Sequence, residues 1–288
     1  MIIEQRDQKL LYLHYMNVLT NKQLLLWLRA DPFLERPLSS PPPSIKLTPH
    51  QNHKLTSYIS ATTQNEIFSH MTAAYTSYIT IFHELYPEPL REIYDPPVLL
   101  YTKGNTEYLA VPNQLAVIGS RKADLYTRTV LQSIIPELLS KDIGIISGMA
   151  KGADGIAHEI ALHGRTIGVT GSGFQHQYPA SNHTLYRQME HSQLLISEYP
   201  PYVKPQKHHF PMRNRIIAGC SRGLLITQAE AKSGTMITVD RALEEGRDVF
   251  AVPGPAGHPL SEGTNLLIGQ GARCTVCAAD ILNEWNLI

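Results

Sequence analysis

Six short apolar runs, separated by longer segments, constrain the fold of this chain more than any other feature of its sequence. The runs lie at residues 115–119, 143–147, 166–171, 194–198, 223–228 and 248–253. The segments between the first three runs have the length and the apolar spacing of amphipathic helices. Strands that are apolar on both faces and alternate with helices are typical of a parallel sheet covered on both sides. The pattern therefore predicts a doubly wound α/β fold.

The first part of the chain has a different amino-acid composition. Residues 1–90 contain no glycine, whereas 115–288 hold every glycine except Gly104. Helical apolar spacing occurs at 10–32, 50–62 and 64–86, with the proline-rich loop SPPPS at 40–44. We therefore predict three parts: a small all-helical domain at 1–90, a connecting segment at 91–114, and a Rossmann-like domain with a mostly parallel sheet at 115–288.

Composition narrows the class of protein. The formal net charge is zero, so a polyanion would need a local cluster of positive charge. Three cysteines cannot build a disulfide framework, and the pair Cys274 and Cys277 lacks further zinc ligands nearby. We expect ordinary half-buried thiols, no metal and no cofactor. Without a signal peptide or a membrane-length apolar run, we expect a soluble protein of the reducing cytoplasm, with no membrane insertion.

Four predicted strand ends carry small or cationic residues that suit an oxyanion. Ligands of such sheets bind outside the carboxyl ends of the strands, and glycine turns at helix N-termini favour phosphate. The candidates are Gly119, Ser120, Arg121, Ser147, Gly148, Lys151, Gly152, Gly171, Gly173, Ser233, Gly234 and Thr235, with helices beginning near Ala153 and Ser233. One such loop is more often tight packing, but four together predict an anion site. The chain has neither a P-loop nor a dinucleotide fingerprint, which disfavours ATP hydrolysis and NAD binding.

A basic stretch follows the fourth predicted strand. Residues 199–229 contain no acidic side chain but five lysines and arginines, and Phe210 lies among them. Cations bind phosphates and flat rings stack on unpaired bases, so this alternation favours a single-stranded nucleic acid. The alternative is a solvated loop in which Phe210 belongs to the core.

Other candidate residues are weaker. Asp154 and His158 have helical i, i+4 spacing, which favours a helix-surface hydrogen bond over catalysis. Glu230 has no identifiable nucleophile or second carboxylate as a partner. Residues 230–288 contain eight acidic and four basic side chains, so this end is either a face for a protein partner or a plain acidic surface.

The motifs resemble those of the DNA-processing protein A (DprA/Smf) family. The matching stretches are GSR (119–121), SGMAKGADGIAH (147–158), GSGFQHQYP (171–179), SEYPP (197–201), KPQKHHFPMRNRIIAG (204–219), SGTMIT (233–238), ALEEGRDVFAVPG (242–254) and LIGQGA (267–272). The resemblance implies a homodimer that is not an enzyme, protects incoming single-stranded DNA in natural transformation and loads RecA recombinase onto it. It also implies DNA contacts at Arg121, Lys207 and Phe210, with Arg213, Asn214 and Arg215 lining the same pocket.

The chain departs from the family pattern in three places. Many members have lysine after the Tyr-Pro at 178–179, where this chain has Ala180. Some members end in a winged-helix domain, and from this sequence we expect none. The resemblance makes residues 1–90 a divergent SAM-like domain, to which we assign no direct DNA contact.

Two other functions remain open. The first is a nucleotide enzyme of the lysine-decarboxylase-like phosphoribohydrolase type, using Glu230 beside Ser233-Gly234-Thr235. The second is an adaptor that acts through the acidic C-terminal face.

Overall fold

A single mixed sheet organises the chain. In the computed structural model, which describes the backbone of residues 2–288 and the side chains of residues 5–288, the sheet has nine strands. They are β1 (Ser77–Thr80), β2 (Leu99–Gly104), β3 (Gln114–Ile118), β4 (Gly144–Gly148), β5 (Thr166–Thr170), β6 (Leu194–Ser197), β7 (Gly223–Ile226), β8 (Asp248–Ala251) and β9 (Arg273–Cys274). The six predicted apolar runs correspond to β3 through β8.

Helices connect and cover these strands. They are α1 (Ile2–Tyr15), α2 (Asn21–Ala30), α3 (Pro49–Ala61), α4 (Gln64–Ala73), α5 (Glu88–Arg91), α6 (Leu125–Ser140), α7 (Ala153–Ala161), α8 (His183–Ser192), α9 (His209–Cys220), α10 (Gly234–Glu244), α11 (Pro259–Gly269) and α12 (Ala278–Glu284). Short 3₁₀ helices occur at Thr106–Ala110 and Ala180–Asn182. The helices predicted to begin near Ala153 and Ser233 are confirmed as α7 and α10.

The strand order is β1-β2-β6-β5-β4-β3-β7-β8-β9. Only β2 runs antiparallel to its neighbours, and every other pairing is parallel. From β3 the chain fills one side through β6, and it then returns to build the other side from β7. The doubly wound, mostly parallel α/β fold is confirmed. Its strand order reverses at β3, where ligands bind in such sheets.

The core forms on both faces of the sheet. Ala116 and Ile118 of β3 pack in the cluster that includes α9 and α10, whereas Leu115 and Val117 pack towards α6 and α7. This alternation follows from the two-residue period of a strand. The N-terminal helices share a third cluster with side chains of β2, β6 and α8.

Two details of the N-terminal part differ from the prediction. The helical pattern at 10–32 is two helices, because Asn17 has a φ of +51° and Thr20 then caps α2 with Gln23 in a capping box. The pattern at 64–86 ends as a helix at Ala73, and Ser77–Thr80 instead pairs with β2. The sheet therefore begins before residue 90 and includes part of the connecting segment. The division into domains and the SAM-like assignment stay predictions.

The cysteines also differ from expectation. Cys274 and Cys277 are exposed, so the prediction that this pair is half-buried is wrong, whereas Cys220 is buried. Cys274 ends β9, and Cys277 caps the start of α12. No cluster of three or more metal-ligating side chains occurs in the part of the chain that the structure describes. Among residues 2–288, no helix combines the length and the apolar character needed to cross a membrane.

Candidate functional site

The carboxyl ends of β3, β4 and β5, together with the start of α9, enclose a cavity of about 220 Å³. Small-molecule pockets usually measure about 300–1,000 Å³, so this cavity suits one small planar group better than an extended cofactor. We call it the Phe210 pocket. Its lining residues are Arg121, Met149, Ala150, Lys151, Gly171, Tyr178, Pro179, Tyr186, Phe210 and Arg213.

An aromatic ring and a cation share this pocket. Phe210 is half-buried, and its ring centroid lies 5.4 Å from that of Tyr178. The guanidinium carbon of Arg121 lies 5.8 Å from the Phe210 centroid, within the range of a cation–π contact. Phe210 thus lines the cavity instead of being sealed in the core.

Arg213 forms a buried part of the pocket wall. Its Nη1 donates to the Val169 carbonyl oxygen at 2.6 Å. Gly148 makes room for this side chain, since a Cβ at that position would overlap both Arg213 and Asp154. Burial raises the pKa of Asp154, and the neighbouring Arg213 charge opposes that rise. Arg213 is therefore held by the protein, with a carboxyl group close by.

The two flexible cations at the pocket are Arg121 and Lys151, both exposed. Their loops are fastened together, because the Ala153 N–H donates to the Ser120 carbonyl oxygen at 3.2 Å. Gly152, with a φ of +74°, permits this approach, since a Cβ there would overlap the same oxygen. At the start of α7, the Ala153 N–H is thus bound to Ser120 and is not free for a ligand.

Other predicted residues hold the loops from within. The buried Ser147 hydroxyl donates to the Val117 carbonyl oxygen at 2.5 Å. Gly173 donates to the Val203 carbonyl oxygen at 2.9 Å and lies so close to Pro200 and Pro201 that no Cβ fits. Gly119 likewise has no room for a Cβ between Ala153 and Thr227. These positions shape the site through packing.

The loop after β7 lies next to the site but does not line the cavity. Ser233 precedes α10, and Gly234 is exposed with open space where a Cβ would be. Thr235 belongs to the first turn of the same helix. The Ser120 N–H donates to the Gln228 carbonyl oxygen at 2.7 Å, which joins this loop to the one after β3.

The polar and basic residues around α9 have different partners and do not all reach the cavity. Lys207 is exposed before α9 and does not line the cavity. Asn214 donates from Nδ2 to the Thr238 hydroxyl at 2.7 Å. Arg215 binds Glu198 at 2.5 Å and lies 3.6 Å from Asp95. The expectation that Asn214 and Arg215 line the same pocket as Phe210 is wrong, because neither is among the lining residues: the Asn214 amide is directed to Thr238 of α10, and the Arg215 guanidinium to Glu198.

The predicted acid–base candidates lie elsewhere. His158 is buried, not at the surface, with Nδ1 2.7 Å from the Thr166 hydroxyl and Nε2 2.9 Å from the Gly148 carbonyl oxygen. Burial lowers its pKa to about 4. Glu230 forms an exposed ion pair with Lys122 at 3.3 Å and does not line the Phe210 pocket.

Five lining residues were absent from the predicted site, namely Met149, Ala150, Tyr178, Pro179 and Tyr186. Tyr178 and Pro179 stand in the GSGFQHQYP motif, so their position after β5 was a usable signal. Met149 and Ala150 likewise follow β4 in the SGMAKGADGIAH motif, whereas Tyr186 carries no such signal. Tyr186 comes from α8 and donates to the Tyr178 carbonyl oxygen at 2.9 Å, a contact that only the fold reveals.

Comparison with known proteins identifies the family. Residues 77–286 match the family model described as DNA recombination-mediator protein A, which is well over half of the chain. The chain belongs to this family. The resemblance to DprA/Smf proteins is thereby confirmed.

Members of the DNA recombination-mediator protein A family match along most of the chain. DNA processing protein DprA of Bacillus subtilis is 40% identical over 279 residues, covering 93% of this chain and 91% of the relative. The DprA of Streptococcus pneumoniae is 44% identical over 209 residues, or 72% of this chain and 73% of the relative.

Solved structures of the family agree with the fold. The X-ray structure of Streptococcus pneumoniae DprA has a TM-score of 0.84 at 36% identity, covering 96% of this chain and 97% of that chain. A Helicobacter pylori DprA structure, described in terms of its single-stranded DNA binding mode, has a TM-score of 0.67 at 31% identity, covering 73% of this chain and 95% of that chain.

Proposed function

We propose that this protein binds single-stranded DNA in the Phe210 pocket, without sequence preference and without catalysis. The observation that carries the proposal is the Arg121 guanidinium 5.8 Å from the Phe210 ring at a cavity that Lys151 also lines. Cations neutralise phosphates and the ring offers a face to one base, worth about 1–3 kcal/mol for each stacked base.

The geometry favours a single strand over a duplex. A base inside a duplex has both faces covered by its neighbours, whereas an unpaired base can turn into a concave site and stack on a ring. The glycines at 119, 148, 152, 171 and 173 allow close packing around that cavity, because a Cβ at any of them would overlap a neighbouring side chain or backbone. Ser233, Gly234 and Thr235 extend the proposed path to the start of α10, and Lys207 adds a cation before α9.

The relatives support this choice. The Helicobacter pylori DprA structure is described by its single-stranded DNA binding mode, and it is 31% identical to this chain. By the same likeness we propose that this protein acts in the cytoplasm as a homodimer, protects incoming DNA during natural transformation and loads RecA onto it. Glu230, the acid that a phosphoribohydrolase would need, binds Lys122 outside the pocket, so we do not favour the enzyme.

The binding test is fluorescence anisotropy with labelled oligo-dT and with a duplex, each at two salt concentrations. We expect tighter binding of the single strand, with log affinity falling by about 0.7 per neutralised phosphate for each unit of log salt. Arg121→Ala with Lys151→Ala should abolish most binding. The matched control is Lys141→Ala with Arg165→Ala, which removes two cations at the amino ends of β4 and β5. Equal affinity in the two double variants would overturn the pocket assignment.

The RecA part needs a separate assay. We expect the protein to accelerate RecA assembly on DNA that is precoated with a single-strand-binding protein, measured by RecA ATPase activity. The Arg121→Ala/Lys151→Ala variant should fail to do so. Normal DNA binding by the unmodified protein without any acceleration would exclude the loading role and leave the DNA proposal intact.

A further inference from the structure

A second basic region lies in the N-terminal part of the chain. Residues 36–65 contain no aspartate or glutamate, although the whole chain carries equal numbers of acidic and basic side chains. Soluble surfaces normally intersperse the two signs of charge. An acid-free segment of this length therefore creates a local positive field in an otherwise neutral protein.

The structure gathers four basic side chains of this segment at the beginning of α3. We call Lys46, His50, His53 and Lys54 the α3 surface, and all four are exposed. His50 and Lys54 are four residues apart and so lie on the same side of the helix. Within residues 5–288, no carboxylate lies within 4 Å of either lysine ammonium. The protein thus leaves these charges unneutralised.

Packing accounts for only one side of this helix. Leu55 is the buried residue of α3, and Tyr58 and Ile59 pack partly against the same cluster. The α3 surface lies outside that contact, among exposed polar residues. Because its cations are exposed and not enclosed in a cavity, it suits a flexible polyanion better than a small anion.

Tyrosines connect α3 to the loop between β6 and α9. Tyr58 follows Lys54 by one turn, and Tyr12, whose ring centroid lies 5.8 Å from that of Tyr58, belongs to α1. Further along α1, the Tyr15 ring centroid lies 5.2 Å from that of Tyr202, and the Tyr202 hydroxyl donates to the Tyr15 carbonyl oxygen at 2.6 Å.

Tyr202 belongs to the same loop as the exposed Lys204 and Lys207, and Phe210 follows in the first turn of α9. The basic loop before α9 and helix α3 are therefore joined through packed tyrosines, with Lys204 and Lys207 at one end and Lys54 at the other. In contrast to the expectation from the sequence that residues 1–90 make no direct DNA contact, we propose that the α3 surface binds the phosphate backbone of the single strand after that strand leaves the pocket. The inference rests on the proposed function, since it concerns the continuation of the same polynucleotide.

The experiment compares two lengths of labelled oligo-dT, about six and about forty nucleotides, because strand-binding modules occupy about 4–16 nucleotides. The test variant is Lys46→Ala with Lys54→Ala, and the matched control is Lys141→Ala with Arg165→Ala. We expect the test variant to bind the short oligonucleotide normally and the long one roughly threefold to tenfold more weakly. Its salt slope on the long one should fall by about 1.4, or about 0.7 for each lost phosphate contact.

The other outcomes overturn the inference in distinguishable ways. Normal binding of both lengths would show that α3 does not contact the strand. An equal loss for both lengths would show that the substitutions act on the pocket itself. If the unmodified protein fails to bind even the short oligonucleotide, the proposed function fails, and the inference fails with it.

Discussion

Gly171 lies against the ring of Phe210, so closely that a Cβ at residue 171 would lie 2.9 Å from the ring carbon Cδ1. Real Cβ atoms essentially never approach another atom so closely. The absence of a side chain at the end of β5 thus allows Phe210 its position in the pocket.

Gly171→Ala should weaken binding of oligo-dT by displacing Phe210. We expect a loss of up to about 1–3 kcal/mol, the worth of one base on a ring, because the stacking face moves. Anisotropy titration measures this loss, and the unfolding midpoint in urea should change little by comparison. Gly269→Ala is the matched control, since the new Cβ meets no atom within 4 Å. Unchanged binding by folded Gly171→Ala would show that the ring position is irrelevant to DNA.

Arg215→Met should destabilise the protein and leave its DNA affinity nearly intact. The substitution leaves the buried Glu198 without its cationic partner. Breaking a buried ion pair in this way typically lowers the free energy of unfolding by about 3–5 kcal/mol. Urea unfolding at neutral pH measures this cost. The control Arg241→Met breaks an exposed pair with Glu244 and should cost less than about 1 kcal/mol. If the Arg215→Met protein were stable but had lost DNA binding, Arg215 would be a DNA-binding residue, contrary to this account.

The free energy of unfolding should fall at acidic pH, in part because two buried histidines are neutral in the folded protein. Burial lowers the pKa of both His14 and His158 from 6.5 to about 4. Between those values the unfolded chain binds protons that the folded chain does not, so stability falls as pH falls. Each histidine should cost about 2 kcal/mol at pH 5 relative to pH 7.

The measurement is urea unfolding at pH 7 and at pH 5. His14→Gln should lose less stability between the two than the unmodified protein, by about 2 kcal/mol. The exposed His53 serves as the control through His53→Gln, which should keep the full pH dependence. An identical pH dependence in His14→Gln would mean that His14 is already protonated in the folded protein or remains neutral in the unfolded one.

The sheet was predictable because β3 through β8 are buried on both faces. A strand without a solvent-facing side consists almost entirely of apolar residues, so each strand is visible in the sequence as an apolar run. β1 was not, because Ser77–Thr80 is a short edge strand that follows a helix without a breaking glycine or proline. Its assignment as a strand depends on pairing with β2, from Thr80 with Leu99 to Ser77 with Thr102. Long-range pairing of this kind leaves little trace in local spacing.

The candidate site was likewise predictable only in part. The position of Arg121 after β3 was enough to place it at the carboxyl edge of the sheet. Arg213 and Arg215 look equivalent in the sequence, yet one lines the pocket and the other binds Glu198. Which of two cations on a helix faces a ligand depends on the rotation of that helix, and α9 is oriented by tertiary packing.

Photo-cross-linking tests the central claim most directly, because it reports which side chain touches a base. Oligo-dT carrying 5-iodouracil would be irradiated on the protein, and the linked peptide would be identified by mass spectrometry. We predict linkage at Phe210 or Tyr178. Linkage confined to the exposed Tyr75 or Tyr94, which do not line the pocket, would contradict the account.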